Sequence, residues 1–369
     1  MSGKRTTVIL TSAVGLGVYI PALLIQRNLR FMDHVAEVEV LESLFTPERL
    51  AAHLAHRKAH HENFALAQIA NRMVRDVEDC LDTDRVQALL ERWVREQRSR
   101  FIVWSGFWLP LIERYRALVT GLQLEVDHCR IDADISASFR VFPQLRTTGN
   151  EIWLWHGASG RVLHEIPVAA APVPEFTRRP QRLVVHGGGW GIGTYRDTLT
   201  SLRLAGYGID LVVHSTEESA GQAADTRCYM LDPAWEPWLR SASGEHIFPP
   251  MGEVSNDSPT VFAGRDDYHV FHDVIRRARA IVSKPGGCTL IDSLAAATPV
   301  IFLEAYSQAE QCNAQVWEKL GYGISLHHWA ATGYSLRVLE EMHHNIIARR
   351  PAIDYPAAWA VRGAAEVAA

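Results

Sequence analysis

Short β-branched apolar runs alternate along the chain with longer amphipathic stretches, and clusters of glycine separate them. The first run, residues 6–12, reads TTVILTS and is followed by a turn over residues 13–17. An uninterrupted β-branched run is typical of a strand buried on both faces of a parallel sheet. Pro21 lies in the first turn of the next helix, where its missing N–H costs nothing. This order of strand, glycine turn and helix predicts a doubly wound α/β domain.

The same order recurs in the second half of the chain. Further strands are predicted at residues 35–41, 99–104, 122–131, 182–186, 209–214, 280–283 and 299–303, with a hairpin at 151–155 and 161–166. Residues 47–97 are strongly helical, which is long for a simple crossover between neighbouring strands. This segment is predicted to be a helical insertion over the mouth of the first domain, or a plain surface hairpin of helices.

A proline-rich segment without periodicity, residues 169–180, predicts the linker between two domains. The first domain then covers residues 1–168 and the second 181–347, and a tail over 348–369 could cross back to the first domain. A length of 369 residues agrees with two domains. The predicted fold class is α/β, with two Rossmann-like domains facing each other across a cleft.

Composition and charge exclude several classes of protein. Hydrophobic residues make up 47% of the chain and charged residues 21%, and a formal net charge of -5 with scattered Lys and Arg argues against nucleic-acid binding. We expect no membrane span, and interpret the charged and apolar start of the chain as strand, turn and helix. Five scattered cysteines without a CxxC pair predict neither disulfides nor zinc, and reduced thiols favour a cytoplasmic protein. Adjacent histidines at 60–61, 327–328 and 343–344 point in different directions, so no metal site is predicted.

Two glycine-rich segments follow predicted strands in the second half. The first, residues 185–193, reads VHGGGWGIG, and its Gly188, Gly189 and Gly191 let the backbone approach an anionic ligand such as a diphosphate. It does not match a strict GxGxxG pattern, and His214 stands where a dinucleotide site usually has an acidic residue.

The second segment, residues 283–289, reads SKPGGCT and opens a predicted helix. Gly286, Gly287 and Thr289 can offer backbone and hydroxyl donors to phosphate at the helix N-terminus. Asp292 lies one helical turn deeper, where a carboxylate can accept hydrogen bonds from ribose hydroxyls. Gln308 and Glu310 follow the next strand and are suited to hydrogen-bonding the hydroxyls of a sugar.

Residues 280–323 resemble the donor-binding signature of GT-B glycosyltransferases. They are most similar to the branch that contains the lipid II-forming N-acetylglucosaminyl transferase, the diacylglycerol glucosyltransferases and the natural-product glycosyltransferases. The resemblance implies that Gly286, Gly287 and Thr289 bind phosphate, that Asp292 binds ribose, and that Gln308 and Glu310 bind the donor sugar. It further implies an inverting transfer from a nucleotide diphosphate sugar, by default a UDP-sugar, to a small acceptor, without a metal or a further cofactor.

The chain departs from that family at three positions. Asp292 stands where the family usually has a longer Glu, and Gln308 lies one position before the usual polar pair. Val18 stands where many inverting members have a general-base His, three residues before Pro21. Either another side chain supplies the base, or the acceptor is an amine, a carboxylate or an acidic phenol, or catalysis is lost. The catalytic residue is therefore unknown; weak candidates at strand ends of the first half are Asp127, His128, Asp132 and His156.

The acceptor side carries an aromatic cluster, Trp104, Phe107 and Trp108, after a predicted strand. With Val18 it could line a pocket for a flat acceptor, or the rings could simply fill the core. A sugar-nucleotide 2-epimerase of the same fold and a non-catalytic GT-B-like partner protein remain alternatives. Nothing in the sequence identifies the acceptor, the donor base, the sugar or the oligomeric state.

Overall fold

The first half of the chain folds around a five-stranded sheet in which all strands are parallel. The computed structural model describes residues 6–255 and 258–365. The strands have the order β2-β1-β3-β4-β5. Their bounds are β1 (Thr7–Thr11), β2 (Ala36–Val40), β3 (Arg100–Val103), β4 (Glu125–Arg130) and β5 (Asn150–Trp153). The first four agree with the predicted strands to within a few residues.

Helices cover both faces of this sheet. They are α1 (Leu16–Phe31), α2 (Pro47–Glu62), α3 (Phe64–Arg72), α4 (Thr83–Arg95), α5 (Leu109–Leu118) and the single turn α6 (Ala137–Arg140). The apolar face of α1 packs with one side of the sheet. The apolar faces of α4 and α5 pack on the other side, around Trp93 and Tyr115. The amphipathic pattern of α4 therefore belongs to a helix that closes the core.

The predicted hairpin at 151–155 and 161–166 is wrong in its pairing. Its first strand is β5, which instead extends the main sheet by pairing in parallel with β4. A shorter antiparallel hairpin follows, made of β6 (Trp155–His156) and β7 (Arg161–Val162), and β8 (His164–Glu165) comes directly after it. The alternation of polar and apolar residues indicates a strand, but it does not encode the partner of each strand.

The second half of the chain forms a seven-stranded sheet of order β12-β11-β10-β9-β13-β14-β15, parallel except for the edge strand β12. Its strands are β9 (Arg182–Val185), β10 (Gly208–Val213), β11 (Thr226–Leu231), β12 (Met251–Val254), β13 (Ala280–Ser283), β14 (Val300–Phe302) and β15 (Gly323–Ser325). Three of them, β11, β12 and β15, were not predicted.

The helices of this half are α7 (Leu199–Leu204), α8 (Thr216–Ser219), α9 (Phe271–Ile275), α10 (Gly287–Ala296), α11 (Gln308–Leu320), α12 (Leu326–Ala331) and α13 (Leu336–Ile347). Helices α9, α10 and α11 lie on the face that turns toward the first domain, where α1 packs against α10. Helices α7, α12 and α13 cover the opposite face. Helix α7 begins only at Leu199, because residues 195–198 form a 3₁₀ turn.

The end of the chain returns to the first domain. Strand β16 (Ile353–Asp354) pairs in parallel with β8, and helix α14 (Tyr355–Ala365) packs against α1. Trp359 is fully buried, and its indole N–H donates to the hydroxyl of Thr7 over 3.0 Å. Arg362 forms an ion pair with the buried carboxylate of Asp127.

Helices α2 and α3 reach from the first domain across to the second. Arg57 donates two hydrogen bonds to the carboxylate of Glu236, at 2.7 and 2.6 Å. Further along, Gln68 donates to the Glu304 carboxylate over 3.0 Å. Helix α2 buries none of its residues. Polar contacts between the domains therefore help to hold α2 in position, together with the stacking of Arg57 on Trp190.

All five cysteines are free thiols. Within the described part of the chain, no helix combines the length and the apolar character that a membrane crossing requires.

Candidate donor-binding site

The two glycine-rich segments meet at the carboxyl ends of adjacent strands. Strand β9 leads into residues 187–193 and β13 leads into residues 284–287, and the two strands are hydrogen-bonded neighbours. A Cβ atom built on Gly188 would lie 3.5 Å from Cε of Lys284, so the two segments are in contact. The carboxyl edge of a parallel sheet is where α/β folds hold ligands.

The first segment also forms part of the domain interface. Gly188 and Gly191 have φ of 76° and 64°, a left-handed conformation that favours glycine. A Cβ on Gly189 would lie 2.5 Å from the side chain of Leu16 in α1, and one on Gly191 would collide with His61 of α2. Because Gly189 and Gly191 have no side chains, helices α1 and α2 of the first domain can pack directly against this loop. This packing role is separate from the anion-binding role predicted from sequence.

The second segment ends at the N-terminus of α10. Gly286 is the N-cap residue and supplies no side-chain hydrogen bond to the helix, whereas Ser307 caps the neighbouring α11. The first-turn N–H groups of a helix have no acceptor within the helix, so α10 retains the donors and the positive dipole end that bind phosphate. Thr289 is buried in that first turn. A Cβ on Gly287 would lie 2.5 Å from Cγ1 of Ile131, so Gly287 also contacts the first domain.

A lysine not singled out from the sequence lies between the two segments. Lys284 forms an ion pair with Glu310, and both side chains are largely buried. The other carboxylate oxygen of Glu310 accepts the Tyr306 N–H over 2.8 Å. Glu310 is thus occupied by protein partners rather than turned toward a sugar. Lys284 is the one cation within the SKPGG sequence, so its proximity to a bound phosphate could have been predicted from the motif.

Asp292 lies deeper than its predicted ribose role suggests. Its Oδ1 atom is 2.9 Å from Nε2 of His269 and 3.3 Å from Nδ1 of His272, and all three residues are buried. Burial alone would raise the pKa of Asp292, but the two histidines hold the pKa of this carboxyl below its usual range. A ribose hydroxyl would therefore have to use the remaining oxygen, Oδ2.

Asn313 connects the second domain to the first. Its carbonyl oxygen accepts the Ala133 N–H over 2.7 Å and the Trp155 indole N–H over 2.9 Å. Its amide group donates to the Asp132 carboxylate over 2.8 Å and to the carbonyl of Pro285 over 2.9 Å. Every hydrogen-bonding position of this buried amide is filled, which fixes Asp132 beside the second glycine segment.

Gln308 is exposed and borders a cavity of about 1230 Å³ between the domains. The second domain contributes the loop after β14, including Tyr306, and the first contributes Gln68 and Arg72 of α3 and Arg140 of α6. Polar groups of both signs line this space, so it suits a hydroxylated ligand. Of the two residues predicted to contact the sugar, only Gln308 faces this cavity.

Two of the four predicted catalytic candidates lie in structural positions. Asp127 accepts from the Tyr355 hydroxyl over 3.0 Å and pairs with Arg362, so it anchors the returning helix α14. His128 is fully buried in the first domain, and burial lowers its pKa to about 4. A Cβ on Gly149 would lie 2.8 Å from its Nε2 atom. Neither side chain is open to the cleft.

The other two candidates differ from one another. The ring of His156 packs edge-on against Trp153, with centroids 4.9 Å apart. Asp132 lies at the domain boundary, hydrogen-bonded to Asn313 and close enough to Glu310 and Lys284 for their charges to act on it. Burial, reinforced by the charge of Glu310, raises the pKa of Asp132 to about 6. It is the one member of the set that combines a cleft position with a pKa near neutrality.

The aromatic cluster proposed for the acceptor is part of the domain core. Trp104, Phe107 and Trp108 are all buried, and the Trp108 indole donates to the carbonyl of Thr11 over 2.7 Å. Of the two roles considered from sequence, an acceptor pocket and core packing, these three rings have the second in this structure. Val18 is half-buried in the first turn of α1, where its carbonyl accepts the hydroxyl of Thr11 over 2.7 Å.

Comparison with known proteins gives the same architecture. No family model matches the chain, and no curated protein matches it. Among solved structures, it is similar to the spinosyn forosaminyltransferase SpnP, with a TM-score of 0.55 and 13% identity over 100% of both chains. It is also similar to the glycosyltransferase VinC in complex with dTDP, with a TM-score of 0.53 and 12% identity over 98% of this chain and 100% of that one.

A third similar structure is the Streptomyces sp. SF2575 glycosyltransferase SsfS6 complexed with thymidine diphosphate, with a TM-score of 0.51 and 11% identity over 99% of this chain and 100% of that one. At such low identity the similarity establishes the fold. The predicted fold class, two Rossmann-like domains of the GT-B type facing across a cleft, is confirmed.

Proposed function

We propose that this protein is a glycosyltransferase that binds a nucleotide diphosphate sugar in its second domain and transfers the sugar to a small acceptor. The observation that carries the proposal is the pair of glycine segments on adjacent strands β9 and β13, with the ammonium of Lys284 between them. Backbone donors, a helix N-terminus without a side-chain cap and a fixed cation all favour a diphosphate at this point.

In the proposed reaction the sugar is transferred with inversion and without a metal. Negative charge develops on the departing diphosphate, and Lys284 and the first turn of α10 are positioned to stabilise it. Oδ2 of Asp292 is the proposed ribose acceptor, since Oδ1 is bonded to histidines. Gln308 is the proposed contact for the donor sugar, and the cavity beside it is the proposed route by which the acceptor enters.

Asp132 is the proposed general base in place of the residue that Val18 replaces. A base acts best when its pKa is close to the working pH, and burial raises the pKa of Asp132 to about 6. The amide of Asn313 holds one oxygen, which leaves the other for the acceptor. With a base at this position, a hydroxyl acceptor becomes as reasonable as the amine, acid or phenol considered from sequence.

The nucleotide is also part of the proposal. The sequence resemblance favours UDP, whereas two of the similar structures, VinC and SsfS6, contain thymidine diphosphate. The test therefore includes UDP and dTDP, with GDP as a third nucleotide.

The test is a thermal-shift screen against UDP, dTDP, GDP and their sugars, because a ligand that binds the native state raises the melting temperature. Donors that bind are then incubated with amine, carboxylate, phenol and alcohol acceptors, and release of the nucleoside diphosphate is measured. Acceptor-dependent release supports the proposal. Conversion of the sugar without an acceptor would indicate an epimerase, and binding without turnover would indicate a non-catalytic protein. No binding by any nucleotide would refute the donor site.

A further inference from the structure

His269, His272 and Asp292 form a buried group of nitrogen and oxygen ligands beneath the candidate donor site. His269 precedes α9 and His272 lies within it, and the His272 N–H donates to the carbonyl of His269 over 3.1 Å. One helical turn thus separates the two rings, whose centroids are 6.0 Å apart. Asp292 reaches them from α10, which packs beside α9 in the same hydrophobic core.

The ligand atoms have the spacing of a metal site. Nε2 of His269 and Nδ1 of His272 are 2.9 and 3.3 Å from Oδ1 of Asp292, and the three atoms lie within 4.8 Å of one another. Neighbouring ligands of a tetrahedral zinc ion are about 3.4 Å apart, given metal–ligand bonds of about 2.0–2.2 Å. The two nitrogen–oxygen distances are within about half an ångström of this spacing, and an ion would enter once rotation of the two rings brings the nitrogens to the same separation.

The chemistry of the group selects the metal. The side chains of His269, His272 and Asp292 are 5%, 2% and 6% exposed, so the carboxylate has little water around it. Within the described part of the chain, the hydrogen-bond and ion-pair partners of the Asp292 side chain are the two imidazoles alone. Lys284, the cation of the nearby glycine segment, is paired with Glu310 instead. Two imidazole nitrogens and one carboxylate favour Zn²⁺ over Mg²⁺ or Ca²⁺, which prefer oxygen ligands.

We propose that His269, His272 and Asp292 bind one Zn²⁺ ion, which ties the turn before α9 to helix α10. The proposed ligands are not the adjacent histidines, for which no metal site is predicted, but His269 and His272, which are three residues apart. Three protein ligands leave one coordination position for water or a bound ligand. The competing explanation is a hydrogen-bonded network in which both imidazoles donate to Asp292 and no metal enters.

Zinc retention by the full chain tests the proposal without any nucleotide, so its result is independent of the proposed function. Protein stripped with EDTA is dialysed against Zn²⁺, and bound metal is measured by atomic emission. We expect one tightly held ion per chain and a higher melting temperature with zinc. His272→Gln and His269→Gln should each lower zinc affinity at least about 100-fold, since losing an outer-shell partner alone costs about 10–100-fold.

Matched controls separate this site from adventitious binding. His56 and His60 on α2 have stacked rings 6.4 Å apart and could bind zinc at the surface, so the double variant His56→Gln/His60→Gln should keep the tight ion. His343→Gln, which alters another buried histidine, should keep it as well. Loss of the ion in the α2 variant with retention in the His272 variant would overturn the proposal.

A measurement on the wild-type protein covers the case in which a buried variant fails to fold. Anomalous diffraction at the zinc edge should show a single strong peak between His269, His272 and Asp292. An empty group in zinc-soaked crystals, or failure of the dialysed protein to retain zinc, would establish that these residues form only a hydrogen-bonded network.

Discussion

The first loop of each domain follows a buried parallel strand, yet the two are occupied differently. In the first domain, Glu42 fills the loop after β1: its carboxylate accepts the Ser12 hydroxyl over 2.7 Å and the Ala13 N–H over 2.6 Å. In the second domain, among the described residues, the Glu310 carboxylate lies beside Gly286 and pairs with Lys284, but no carboxylate accepts a backbone N–H of the glycine loops after β9 and β13. The first domain thus fills its loop with its own carboxyl group, whereas no carboxyl group bonds to the backbone of the second domain's glycine loops.

This difference explains why similar local sequences have different functions. A glycine turn between strand and helix creates an anion site wherever its N–H groups stay unpaired. Glu42 is fully buried and belongs to a 3₁₀ turn after β2, about thirty residues from the loop that it fills. Only the tertiary structure shows which loop keeps backbone N–H groups without a carboxylate partner. For this reason we propose that the nucleotide binds to the second domain.

The largest expected effect is the loss of catalytic rate when Asp132, the proposed general base of the first domain, is replaced. Asp132→Asn should lower kcat about 10²–10⁴-fold, because an amide cannot accept the acceptor proton. In the wild type, kcat/KM should fall about tenfold per pH unit below the Asp132 pKa of about 6. Asp134→Asn, a half-buried neighbour, should leave both unchanged. A normal rate in Asp132→Asn would remove the proposed base.

Asp132→Asn is expected to lower activity but not to lower the stability of the fold. The pKa of Asp132 is raised in the folded state from 3.8 to about 6, so the folded chain binds more protons than the unfolded chain between these values. The ionised carboxylate therefore lowers stability at neutral pH. Asp132→Asn should melt at the same temperature as the wild type or higher at pH 7, measured by calorimetry. A marked fall in melting temperature would show that the carboxylate stabilises the fold.

A smaller effect is expected from the cation between the open loops. Lys284→Gln removes a charge-assisted contact worth about 1.5–3 kcal/mol, so donor affinity or turnover should fall about 10–150-fold. Lys319→Gln, an exposed lysine of the same domain, is the matched control and should have no effect. Equal donor affinities in the two variants, measured by calorimetric titration, would contradict a diphosphate between the loops.

The two glycines at the start of α10 should respond unequally. Gly287→Ala places a methyl group against Ile131, and such overpacking costs about 1–3 kcal/mol of stability. Gly286→Ala meets only the flexible ends of Glu310 and Lys284, at 3.1 and 3.3 Å, and should cost less. Urea unfolding of both variants provides the comparison. Equal destabilisation would show that contact with the first domain does not set the requirement at Gly287.

The smallest effect on the nucleotide is expected from the filled loop. Glu42→Gln turns one of two accepting oxygens into a donor that faces the Ser12 hydroxyl or the Ala13 N–H, so the free energy of unfolding should fall by about 1–3 kcal/mol. Donor affinity should not change, because the first domain's loop holds no nucleotide. A clear change in dTDP or UDP affinity would mean that the two loops are not functionally distinct.

Local patterns were sufficient for the framework and for the position of the donor loops. Strands such as Thr7–Thr11 and Ala280–Ser283 are uninterrupted apolar runs, and the glycines that follow them mark the ligand edge. Strand β11 was missed because its sequence, TRCYML, mixes polar and apolar residues at the side of the sheet. Periodicity reports burial, and half-buried strands near an edge carry a weak signal.

Pairings between distant residues were beyond the reach of the sequence. Lys284 with Glu310, Asn313 with Asp132 and the two histidines with Asp292 are separated by 26, 181, 23 and 20 residues. Each pairing changes the role of a predicted site residue by occupying one of its oxygens. The residue types at the site could therefore be read from the motif, whereas their free and occupied atoms depend on tertiary structure.

The return of α14 to the first domain has a consequence for biosynthesis. Thr7 in β1, Arg100 in β3 and Asp127 in β4 each bond to Trp359 or Arg362, so strands of the first domain depend on residues that follow the second domain in the chain. Domains commonly fold as units in the order of synthesis. Here the buried charges of Arg100 and Asp127 stay without these partners until the second domain has been translated. The first domain is thus completed only after the second domain has been translated.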